Sequence, residues 1–94
     1  MRQNEFVFSG VLLRQPSGFT ALCIDLDVAS EGRTPGQAKR RLSEAVTLHL
    51  ETAFENNLPH LRPMPRADNP LCNNASNLVE TFRIHIDFAV AAHV

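Results

Sequence analysis

Apolar positions along the chain recur with two different periods. In ETFRIHIDFAV, residues 80–90, Phe82, Ile84, Ile86, Phe88 and Val90 alternate with Thr81, Arg83, His85, Asp87 and Ala89. A period of two sorts these sets onto opposite sides of a β-strand, one apolar and one more polar. NEFVFSGVLLR (4–14) is rich in Phe, Val and Leu and predicts another strand, with Gly10 marking a bulge or a close backbone approach. The turn QPSG (15–18) follows, where Pro16 presets φ and Gly18 is free to take a positive φ. In FTALCIDL (19–26), Phe19, Ala21 and Cys23 share one face, and Thr20, Leu22, Ile24 and Leu26 the other. Both faces are mostly apolar, which predicts a central strand covered on both sides. DVASEG (27–32) predicts a short third strand, or an extended edge, ending at Gly32.

Beyond residue 34 the period changes to that of a helix. Ala38, Leu42, Ala45, Val46, His49, Leu50 and Ala53 form one stripe at helical spacing. Thr34 predicts the N-cap, Pro35 suits the first helical position, and Gln37 completes a capping-box pattern. The helix spans 35–56, and Asn56 or Asn57 is expected to end it in the left-handed region. Residues 58–78 hold four prolines, at 59, 63, 65 and 70, and many asparagines; they predict a long, weakly structured arm before the last strand. The whole reads as one α+β domain over 1–94: an antiparallel sheet of three to four strands on one main helix. The helix braces that sheet, and any binding surface is expected elsewhere.

Bulk composition narrows the function. A content of 44% hydrophobic and 20% charged residues is that of an ordinary globular domain. A net charge of −1 argues against a protein whose main task is gripping nucleic-acid phosphates. Two cysteines are too few for a disulfide scaffold, so Cys23 and Cys72 are expected as free thiols in a reducing cytoplasm. Neither a signal peptide nor an apolar run long enough to span a bilayer is evident.

Candidate chemistry is sparse. Asp25 and Asp27 flank Leu26 at strand spacing, and with Asp87 they are the only candidates for a Mg²⁺-dependent nuclease site; solvated strand ends are the plainer reading. His49, His60, His85 and His93 lack metal-ligand spacing, and His49 reads as a satisfied histidine on the helix stripe. Cys23, in an apolar strand, is expected to be inert with a raised pKa. Lys39, Arg40 and Arg41, with Arg33, make the basic cluster, which without interleaved aromatics reads as a solvated helix face. No nucleophile elbow, phosphate loop or dinucleotide fingerprint occurs, so no cofactor is implied.

The segment LCIDLDVASEGRTPGQAKRRLSEAVTLHLE (22–51) resembles the HicB-like antitoxin family. The resemblance rests on the strand ending at Asp25-Leu26-Asp27, the turn Ala29-Ser30-Glu31-Gly32-x-Thr34, Ala38 four residues on, Glu44-Ala45 in mid-helix, and Leu58-Pro59 after it. It covers roughly residues 5–65, about the span of a small domain. It implies a partial ribonuclease-H-like fold without working nuclease carboxylates, hence a protein that is not an enzyme. It also implies a partner, a small basic RNA-cleaving toxin of the HicA type. Carboxylates at Asp25, Asp27 and Glu31 are the residues expected to meet it, by steering and charge-assisted hydrogen bonds. Two departures matter. Gly36-Gln37 makes the helix start less acidic than usual, and the sequence stops at Val94, so the DNA-binding domain of many relatives is not carried over. Free edges on the third and fourth strands lead to the further expectation of a homodimer or higher homo-oligomer.

Overall fold

The fold was obtained as a computed structural model that describes the backbone of residues 2–90 and the side chains of 5–87. Strands β1 (Arg2–Gln15), β2 (Gly18–Cys23) and β3 (Val28–Gly32) precede helix α1 (Pro35–Glu55). A 3₁₀ turn, Arg66–Asp68, interrupts the arm, and β4 (Leu78–Val90) ends the described chain. The sheet runs β3-β2-β1-β4, antiparallel throughout. It is the predicted α+β arrangement of one sheet on one helix.

Two layers of side chains follow from the pleat. Phe8 and Leu12 of β1, Ala21 and Cys23 of β2, and Ile84 and Ile86 of β4 share the face covered by α1. The helix answers with Ala38, Leu42, Val46, Leu50 and Ala53, all buried. It lies chiefly over β3 and β2 and reaches β4 only lightly. Phe88 and Val90 of the predicted apolar face, and His93, lie outside the described side chains.

Both helix ends close at the residues the sequence predicts, although the Gln37 side chain takes the N–H of Arg33 rather than that of the N-cap Thr34. Thr34 Oγ1 accepts from the Gln37 N–H at 3.1 Å, and Gln37 Oε1 accepts from the Arg33 N–H at 2.7 Å. At the far end Asn57 takes φ 52°, while Leu58 N–H donates to Ala53 O at 2.8 Å and Asn57 N–H to Phe54 O at 3.3 Å. These bonds satisfy carbonyls that the last turn otherwise leaves open.

Gly10 marks a close approach: a Cβ there would come 2.5 Å from the Phe82 ring. The strand irregularity falls instead at Leu12/Leu13. The arm is more ordered than its composition predicts. Its backbone bonds to the end of β2, Arg62 N–H to Asp25 O at 3.1 Å and Met64 N–H to Ile24 O at 2.8 Å. Asparagine amides tack down the rest: Asn73 to Ala67 O at 3.0 Å and Asn77 to Arg14 O at 2.9 Å. Val11 and Leu13 are buried on the face away from α1.

Candidate functional site

The three carboxylates expected to meet a partner sit in three different environments. β2 is prolonged beyond Cys23 when Ile24 N–H donates to Ser9 O at 3.0 Å. The next residue turns its side chain into the same seam, so that Asp25 Oδ2 accepts from the Ser9 N–H at 2.7 Å. A charged acceptor makes this a strong bond. Asp25 thus stands where a strand carbonyl would otherwise stand, half-buried, with the arm on its other side. Asp27 is exposed at the tip of the β2–β3 turn with φ 53°, a conformation Asp tolerates better than most residues.

Glu31 belongs to the other end of β3. It pairs with Thr20, whereas the turn closes at Cys23 and Val28. Three strand steps separate it from Val28, about 10 Å. It lines a cleft of about 190 Å³ with Gln15, Ser17, Thr20, Arg33 and Arg41, and its backbone carbonyl accepts from Arg41 Nη1 at 3.1 Å. Asp25 and Asp27 are neighbours; Glu31 stands apart, beside two arginines. This mixed-charge cleft went unforeseen, because only the fold brings the β1–β2 turn to the start of the helix.

The basic run divides around the helix. Lys39 pairs with Glu80 and lies 4.9 Å from the centre of the Phe82 ring. Arg41 turns to Glu31, and Arg40 is exposed. His49 is engaged as the sequence suggests: its Nε2 lies 2.7 Å from His60 O, and a carbonyl can only accept, so Nε2 carries the proton. The His60 ring in turn packs against Phe54 and Phe6, at 5.2 and 5.9 Å between centroids. Among the described residues no three His, Cys, Asp or Glu gather where they could hold a metal ion, and Asp87 is not drawn to Asp25 and Asp27.

Both cysteines are free, Cys23 buried and Cys72 exposed. Burial pushes the Cys23 thiol up to about 11, the nearby Asp25 charge adding to the effect and the backbone at Leu26 and Asp25 opposing it. An unfolded cysteine titrates near 8.5. Stability from this thiol is therefore full below about pH 8.5 and is lost as pH rises through the folded value, by about 3 kcal/mol in total. With no tyrosine and a single lysine, few other groups crowd that range. Urea unfolding at pH 7.5, 9 and 10.5 is expected to show the fall in the parent and a much flatter profile in Cys23→Ala. Parallel profiles would place the alkaline transition elsewhere.

No family model matches this chain, and no curated protein sequence matches it. Among solved structures, a chain of a "HicA3 and HicB3 toxin-antitoxin complex" is similar with a TM-score of 0.60. The match covers 83% of this chain and 94% of that one at 17% identity. At that identity the likeness is one of fold. Among the described residues no helix is long and apolar enough to cross a membrane.

Proposed function

We propose that this chain is a non-catalytic, cytoplasmic HicB-like module that binds and neutralises a small, basic, RNA-cleaving toxin. The observation that carries the reading is the fold shared with a chain of the HicA3 and HicB3 toxin-antitoxin complex, over nearly the whole of that chain. The sequence features at 22–51 point to the same family independently. Two facts favour binding over cleavage. The Asp25 carboxylate holds the Ser9 N–H through Oδ2, and no two further potential ligands gather with it among the described residues. DNA binding is not assigned to this chain.

Within this reading Asp25 has two duties, holding the β1–β2 seam and contributing charge. Asp27 and Glu31 are the cleaner reporters of the partner surface, because both are exposed and neither side chain makes a hydrogen bond or ion pair among the described residues. The test begins with capture of a stoichiometric small basic protein from native lysate. That protein, purified, is expected to cleave RNA alone and to stop when one equivalent of this chain is added. Asp27→Lys with Glu31→Lys is expected to weaken the complex roughly tenfold, about 1.4 kcal/mol, and to flatten its salt dependence. Unchanged affinity would move the surface elsewhere; unhindered RNA cleavage would end the antitoxin reading.

A further inference from the structure

We propose that β4 is a homodimer seam, at which two copies pair their outer β4 edges antiparallel about a twofold axis through His85. This inference is independent of the toxin-binding reading and deepens only the expectation of self-association.

The first ground is an unprotected edge. β4 is 13 residues long and closes one side of the sheet, with no element on its outer side among the described residues. Natural edge strands are blunted by shortness, proline, charged side chains, above all lysine, or a covering loop. β3, the opposite edge, is only five residues long, whereas β4 contains neither proline nor lysine, and its central charges, Arg83 and Asp87, are of opposite sign and so complement those of a second copy.

The second ground is an incomplete sheet. β2 pairs with β1 from Gly10 onward and bonds once more at Ser9, so residues 2–8 of β1 have β4 as their one strand neighbour. A two-stranded ribbon is marginal in water unless a helix covers it, and α1 covers one face of this one, at Phe8, Ile84 and Ile86, while reaching β4 only lightly. The radius of gyration, 14.1 Å, exceeds the roughly 12 Å expected of a compact chain of this length, in keeping with such a projection. A second copy converts the ribbon into four strands, in the order β1-β4-β4-β1.

Charge fixes the register. Within one chain Asp87 is paired with Glu5, a like charge directly opposite, and Arg83 is paired with Ser9. Like charges at opposed positions are unfavourable. His85 Nδ1 lies 3.3 Å from Glu5, but Arg83 and Asp87 form no ion pair among the described residues. Directly opposed residues of antiparallel strands share a face, so a twofold seam must be centred on a residue. Centring on Ile84 sets Arg83 against His85 and Asp87 against Thr81. Centring on Ile86 sets Asp87 against His85 but leaves Arg83, the permanently charged cation, facing Ala89. Centring on His85 alone sets Arg83 against Asp87 of the second copy, twice over, and aligns Ile84 with Ile86 on the helix side.

The full chain is expected to sediment at twice its 10.5 kDa mass. Asp87→Arg and Arg83→Asp should each weaken the dimer at least tenfold, and the double charge swap should restore it. Asp87→Arg places a cation opposite Glu5 of its own chain, so the fold is not penalised, and an unchanged circular dichroism spectrum verifies this. Independently, His85→Cys in a Cys72→Ser background should oxidise to a covalent dimer, because residues facing themselves across the axis lie about 4.5–5.5 Å apart between Cα atoms, within disulfide range. Thr81→Cys in the same background should not. A monomeric parent, single variants that leave the dimer intact, a double swap that fails to restore it, or no His85→Cys cross-link would each overturn the proposal.

Discussion

Replacing Leu42 with alanine is expected to lower the free energy of unfolding by about 2–5 kcal/mol. Leu42 is fully buried on α1, in the cluster that joins Ala21 and Cys23 of β2 to Phe8 and Leu12 of β1. Truncation removes three methyl-level groups from water exclusion and leaves a cavity. Neighbouring β-strands and a doubly capped helix have little freedom to collapse into it. Total stabilities run about 5–15 kcal/mol, so this loss is a large share of what holds the domain folded. The midpoint of thermal unfolding should fall by about 10–20 °C. Denaturant titration of both proteins measures the loss directly. A difference below about 0.5 kcal/mol, the scale of surface sites, would mean that α1 does not brace the sheet.

The elements that proved legible are those whose signal is local. The alternation in 80–90 requires only that neighbouring residues fall on opposite sides of a strand. Thr34, Gln37 and Asn57 close the helix through bonds spanning a few residues, so the chain itself displays the partners. Asp25 is different. Its acceptor role depends on Ser9, sixteen positions away, and a turn aspartate gives no sign of which strand it will meet. The Glu31 cleft was hidden for the same reason. It exists because the β1–β2 turn and the helix start meet across β3. The arm misled through composition: proline and asparagine suggest a loose connection, yet asparagine amides are also long-reaching backbone ligands, as Asn73 and Asn77 show. Their number was the one available signal that this segment is fastened down.

The same contrast between local and distant partners sets apart two glycines that lie four residues from each other. Gly32→Ala is expected to destabilise the fold by about 2–3 kcal/mol, the upper part of the range for overpacking. A Cβ at Gly32 would meet Ala38 N at 2.5 Å and Gln37 C at 2.9 Å. Those are backbone atoms of the first helical turn, and they cannot swing away as a side chain would. Relief requires moving α1, which strains the Thr34–Gln37 cap, or moving β3, an edge strand hydrogen-bonded to β2 alone. β3 is the weaker of the two, so its amides should lose hydrogen-exchange protection before those of β1 and β4. Gly36→Ala is the control. No atom lies within 4 Å of a Cβ built there, and the site is an exposed helical position. Alanine there should raise stability by about 0.4–1 kcal/mol, through helix propensity and a less flexible unfolded chain. Urea titration of the two variants should therefore give shifts of opposite sign. Equal and small shifts would show that β3 does not pack tightly on the helix start, and would detach Glu31 and its cleft from the frame that holds them in place.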